Sequence, residues 1–276
     1  MTKRLPTYFV SHGGGPWPWV PEMATALKNL ADALADMPRQ VGRVPDAVLL
    51  ITAHWEAPVF TLGANPCPGM VYDYGGFPPH TYKIVYPAPG APQLARRVHD
   101  LVTSAGLPVA MDTTRGYDHG TFVPLAVMYP QANVPVLQVS LRRGLDPTEH
   151  LAFGQALAPL RDEGVLIVGS GLSYHNLGAF GPQARAPSEA FDAWLHETMG
   201  APPTDRARRL RDWLSAPAAR LAHPREEHLL PLMVAVGAAG DDDATCVYQE
   251  HGIFGGITAS SFRFDNPDNT SMEISL

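Results

Sequence analysis

Cysteine is nearly missing from this chain. Cys67 and Cys246 stand far apart, and neither belongs to a Cys-x-x-Cys pair. That scarcity excludes a disulfide framework and a thiolate zinc site, and it suits a reducing, cytoplasmic compartment. An excess of basic residues is also lacking: the formal charge is −7, whereas neutralising phosphates takes clustered Lys and Arg, so no nucleic-acid partner is expected. No apolar run approaches the length of a bilayer span. The basic start Thr2-Lys3-Arg4 is followed by only a short apolar segment before His12-Gly13-Gly14-Gly15, so neither a signal peptide nor a membrane partner is expected. Disorder is excluded by the balance of 45% hydrophobic to 17% charged residues. With no internal repeat and no low-complexity linker, residues 1–276 are expected to form a single domain.

What is present is a succession of short apolar runs separated by helical patterns. Strands are predicted at Thr7 to Val10, Ala47 to Thr52, Val109 to Met111, Val134 to Val139 and Val165 to Val168. Helices are predicted at Met23 to Met37, Gln93 to Ala105, Thr121 to Met128 and Pro147 to Leu160, the last capped near Asp146. Runs that are continuous rather than alternating indicate strands buried on both faces. The expected fold is therefore α/β, with a central, mostly parallel sheet flanked by helices and the active site at the carboxyl ends of the strands.

Two helices follow, Ser188 to Thr198 and Thr204 to Leu214, the second carrying Arg206, Arg208, Arg209 and Arg211 as an expected solvated face. A helix opened by Pro224 to His228 is apolar nearly all round, which predicts burial. Strands near Thr245 to Tyr248 and Thr258 to Phe264 close the pattern. Between Pro58 and Pro92 lies a long excursion rich in Gly, Pro and aromatics. It either lines a pocket, with Tyr72, Phe77 and Tyr82 as candidate substrate contacts, or seals a sheet edge.

Histidines recur just after the predicted strands: His12 after Tyr8-Phe9-Val10, His54 after Val48 to Ile51, and His175 on a glycine-loosened turn, Gly169 to Asn176. His119 follows the strand at 109–111. One such histidine is ordinarily a hydrogen-bonding loop residue, but several on one rim suggest a metal site built from imidazole and carboxylate. A ligand from outside the rim is best sought at His228, which is expensive to bury without a partner. Glu226 and Glu227 beside it are expected to favour a helix N-terminus through its dipole. His80 is placed in the aromatic excursion, while His99, His150, His196, His223 and His251 are read as surface or packing residues.

Seven segments, taken in order, carry a resemblance over nearly the whole chain. They are Ser11-His12-Gly13, Ala53-His54-Trp55, Tyr72 to Pro78, Tyr86 to Gly90, Tyr117-Asp118-His119-Gly120, His175-Asn176-Leu177 and Glu227 to Pro231. Together they resemble the signature segments of the DOPA-dioxygenase (DODA) type of class III extradiol ring-cleaving dioxygenases, the superfamily of the protocatechuate 4,5-dioxygenase catalytic subunit. The resemblance implies that His12, His54 and His228 bind one divalent metal per chain, Fe(II) for activity or Zn(II) as the purified form. It implies His175 as the catalytic acid/base and a possible fourth ligand, and His119 as a second active-site histidine. One departure is that many class III enzymes carry a glutamate where this chain has His228.

The reaction implied is insertion of O2 into the ring of a catechol, DOPA-like or otherwise, to give a muconic semialdehyde-type product. The implied partners are thus a small aromatic diol and O2, with a homo-oligomer possible. Two other readings of the same residues are a zinc hydrolase that uses bound hydroxide and a Memo-type binding protein without activity.

Overall fold

The structure is a computed structural model and describes residues 4–266. Its eight strands are β1 (Thr7–Ser11), β2 (Ala47–Ala57), β3 (Phe60–Gly63), β4 (Val109–Asp112), β5 (Val136–Arg142), β6 (Val165–Gly171), β7 (Asp243–Ile253) and β8 (Ile257–Asp265). The helices are α1 (Pro21–Ala26), α2 (Lys28–Val41), α3 (Pro92–Ser104), α4 (His119–Met128), α5 (Pro147–Leu157), α6 (Arg185–Met199), α7 (Pro203–Arg211), α8 (Ala219–Ala222) and α9 (Leu230–Ala239).

All strands join one sheet in the order β4-β3-β5-β2-β6-β1-β8-β7. The four apolar runs β5, β2, β6 and β1 are mutually parallel and make its centre. They are buried almost throughout, as strands covered on both faces must be. Antiparallel pairing appears only towards the edges, where β3 meets β5 and β8 meets β1 and β7. The expected α/β architecture with a mostly parallel sheet is thus present.

The side-chain alternation of β6 shows how the two helical layers lie. Ser170 Oγ donates to the carbonyl of Gly120 in α4. The faces of Gly169 and Gly171, which point the other way, abut the carbonyls of Pro231 and His228 at the start of α9. An added Cβ would come within 2.1 Å of either carbonyl oxygen. These glycines therefore do not loosen a turn, as the sequence suggested; they end a buried strand and let the chain before α9 lie against it. α9 itself has all ten residues buried, as its all-round apolar sequence requires.

Several boundaries shift for identifiable reasons. β2 runs on to Ala57, with its register against β5 broken between Ile51 and Glu56. His54 therefore sits within an irregular strand, where a bulge re-aims side chains. The aromatic excursion, where edge strands were expected, holds β3, which lies inside the sheet between β4 and β5. α5 is capped as predicted, Asp146 accepting from the amides of Thr148 and Glu149. The arginine face of α7 is only partly solvated: Arg206 is buried and donates to the carbonyl of Asp242, its guanidinium lying over the ring of Phe264 at 5.8 Å.

Candidate metal centre and active site

Five histidines meet at one rim of the sheet. His12 follows β1 directly, and its carbonyl accepts from the indole of Trp17 at 2.9 Å. His54 projects from the irregular part of β2. His175 follows β6, its amide donating to the carbonyl of Ala222 at 3.0 Å. β4 runs against the central strands, so His119 is not delivered by a strand end. It is instead the first residue of α4, anchored by Asp118, whose carboxylate accepts from Thr52 Oγ1 at 2.8 Å and whose amide donates to Gln138. His228 lies in the turn two residues before α9 rather than in the helix, held there by the close approach to Gly171.

Three imidazole nitrogens converge. His54 Nε2 lies 3.3 Å from His12 Nε2 and 3.2 Å from His228 Nε2. Carboxylates on the far side of the rings set their tautomers. His54 Nδ1 faces Asp73 Oδ2 at 3.3 Å, and His228 Nδ1 faces Glu227 Oε1 at 3.0 Å. An ionised carboxylate can only accept, so the protons belong on Nδ1 and both Nε2 atoms present lone pairs to each other. Burial, reinforced by neighbouring imidazoles, keeps all three rings neutral: His12 and His228 titrate well below the ordinary range and His54 near 3. Opposed lone pairs repel unless a cation sits between them. Tetrahedral nitrogen ligands about 2.0–2.1 Å from a metal lie about 3.3–3.4 Å apart, which matches this spacing. The donor set and its second layer of carboxylates therefore fit a divalent metal.

The other two histidines are held the same way. His119 Nδ1 donates to Asp73 Oδ1 at 2.8 Å, and its amide donates to the same oxygen. His175 Nδ1 donates to Glu227 Oε1 at 3.0 Å, and its ring stacks on His228 with centroids 3.4 Å apart. Burial alone would push both carboxyls up. Burial is the largest single influence on each, but the hydrogen bonds and charges together outweigh it, led by the bond from His119 for Asp73 and by that from His175 for Glu227, so both titrate below the ordinary carboxylate range. For Asp118 the balance falls the other way: burial, then the charge of Asp73, outweighs the hydrogen bond from Thr52 and the nearby Arg115, and pushes it up to about 6.

Asp73 and Glu227 are the residues the sequence reading missed. Glu227 was assigned to a helix dipole, yet it bridges His175 and His228, whereas Glu226 pairs with Arg220 at 2.5 Å. The signal available was the repeated pairing of an acid with histidine-bearing segments. Of the aromatic candidates, Phe77 lines the cavity over the histidines, but Tyr72 and Tyr82 do not. Tyr74 stands in front of them, its hydroxyl tied to the carbonyl of Thr81 at 2.6 Å. Tyr72 is drawn back by its bond to the carbonyl of Ile84. His80 caps the carbonyl of Trp19, and His150 and His223 are buried packing residues.

This arrangement, a parallel sheet whose rim carries a histidine cluster beneath an apolar cavity, belongs to a recognised class. Residues 7–265 match the family described as the catalytic LigB subunit of aromatic ring-opening dioxygenase, and the chain is a member of it. Among curated relatives, it is 38% identical to a 4,5-DOPA dioxygenase extradiol of Beta vulgaris, over 94% of this chain and 96% of that one. It is 33% identical to the protein of the same name from Escherichia coli K12, over 86% of each. The fold also matches a crystal structure of an uncharacterized E. coli K12 protein, with a TM-score of 0.76 and 26% identity, covering 95% of this chain and all of that one. The protein is accordingly an aromatic ring-opening dioxygenase of the extradiol type.

Proposed function

We propose that the chain, as one catalytic domain over residues 1–276, cleaves a catechol beside its diol with O2 and releases a muconic semialdehyde-type product. His12, His54 and His228 hold one divalent metal, Fe(II) for turnover, with Zn(II) a strong competitor for the same nitrogens. Bound there, Fe(II) supplies the redox access that lets a diol and O2 react. The observation that carries the reading is the convergence on His54 Nε2 of His12 Nε2 and His228 Nε2, at 3.3 and 3.2 Å, beside a fourth, carboxylate-held histidine that lines the cavity.

The protein's own part is proton management and placement. Because His175 keeps its proton on Nδ1, donating a hydrogen bond to Glu227, its Nε2 is free to accept a proton from a catechol hydroxyl and return it later. Glu227 ties this ring to His228, so the proton carrier and a ligand share one support. His119, fixed at Nδ1 and at its amide by Asp73, offers its Nε2 to the opposite side of the cluster as a second polar contact. The buried floor excludes water from the reacting atoms.

The zinc-hydrolase reading retains only the donor set in its favour, and oxygen dependence separates it cleanly. The experiment is anaerobic Fe(II) loading followed by oxygen uptake and absorbance of the ring-opened product. No uptake with any catechol at full iron occupancy would sink the proposal. In His175→Ala, retained metal with lost turnover marks a proton carrier; lost metal marks a ligand.

A further inference from the structure

The histidines occupy only the buried floor of a cavity of about 590 Å³. An apolar cavity of about 150 Å³ already admits benzene, so the ring of a plain catechol fills a minor part of this one. The remaining wall is apolar. Leu27 and Leu30 are buried within it, and Leu177, Phe180 and Phe254 stand at its mouth with 71%, 39% and 39% of their surface exposed. The Phe180 and Phe254 rings lie 6.0 Å apart. Large apolar side chains left in water at the edge of a pocket mark a surface made to be covered.

Charge is distributed with equal consequence. Among the described residues, no Lys or Arg lines the cavity. Arg225, which comes within 3.6 Å of Glu227, is held outside it by both oxygens of Glu56. The one carboxylate in the wall among the described residues, Asp73, is already engaged by His54 and His119. A substrate carboxylate would thus enter without a cation, and a substrate ammonium without a free anion, each an expensive burial.

We infer that the preferred substrate is a catechol bearing a bulky, uncharged apolar substituent, its diol at the histidines and its substituent against Phe180, Phe254 and Leu177. This deepens the ring-cleavage reading and rests on it. It also separates this chain from a preference for amino-acid or carboxylated catechols.

The test uses the full chain loaded with Fe(II). Methyl-, ethyl-, butyl- and phenyl-substituted catechols are compared with DOPA and with carboxyalkyl catechols of matched size. Under nitrogen, calorimetry reports binding; in air, oxygen uptake reports kcat/KM. Binding and kcat/KM should rise about fourfold per buried methylene, and neutral compounds should exceed matched carboxylates by about 100-fold or more. Phe180→Arg should reverse that preference, with Leu177→Arg as the second variant at a more exposed position. Carboxylated catechols that bind and turn over as well as their neutral matches would overturn the inference. Binding in the expected order without oxygen uptake would instead overturn the ring-cleavage reading and support the ligand class.

Discussion

Gly171→Ala tests whether the packing of a strand end holds His228, the proposed metal ligand, in place. The new Cβ would lie 2.1 Å from the carbonyl oxygen of His228, and 3.2 Å from the Phe9 ring. Ordinary contact begins near 3.4 Å, so the two backbones must part by 3.4 − 2.1 = 1.3 Å. That oxygen also accepts the amide of Leu172 at 3.0 Å, and the bond would be stretched in the process. Overpacking of this kind costs about 1–3 kcal/mol, which a chain of this size survives. Ligand geometry, by contrast, tolerates only about 0.5 Å. The variant should therefore fold, with a lower Tm, yet bind Zn(II) or Fe(II) about 10–100-fold more weakly in chelator competition. Gly69→Ala, where an added Cβ meets nothing within 4 Å, is the control. Wild-type metal affinity in Gly171→Ala would refute the claim that this contact positions His228.

Glu227→Gln keeps size but removes the charge shared by His175 and His228, so metal affinity should fall about 10–100-fold; competition titration with the same chelator checks it. Asp242→Ala strands the buried guanidinium of Arg161, otherwise paired with that carboxylate, and should destabilise the fold by about 3–5 kcal/mol in urea unfolding. His150 accepts from the amide of Arg142 at Nε2 and donates a hydrogen bond from Nδ1 to the carbonyl of Asp146; burial outweighs the opposing effect of the Asp146 bond and holds the ring neutral, with its pKa lowered to about 4. The unfolded chain then binds more protons below the ordinary 6.5, and stability is lost as pH falls from there towards 4. Between about pH 7.5 and about pH 5 this group alone should remove about 2 kcal/mol. In His150→Leu that increment of the acid limb should be missing.

Much of the fold was legible because its signals are local. Four continuous apolar runs marked the parallel centre of the sheet, since a strand covered on both faces has no polar side to display. The Asp146 cap and the all-apolar α9 were readable for the same reason. His12, His54 and His175 could be grouped because the topology of a parallel sheet sends strand ends to one rim. The burial of Arg206 and the bounds of β3 were not legible: an arginine among three others looks solvated until a carbonyl and a ring are packed against it, and a four-residue strand inside a Pro- and Gly-rich stretch has no period to detect.

By itself, the sequence determined that a histidine cluster would lie at the carboxyl ends of a parallel sheet, and its ordered motifs pointed to ring-opening dioxygenases. Only the tertiary structure decided how the cluster is supported. Contacts between segments distant in the chain bring Asp73 to both His54 and His119, and bring His175 to Glu227, which already neighbours His228. Gly169 and Gly171, which suggested a loose turn, became the flat surface against which the turn that carries His228 rests. The physical reason is the range of the forces: periodicity and burial are written along the chain, whereas tautomer, lone-pair direction and close backbone approach exist only once distant segments are packed together.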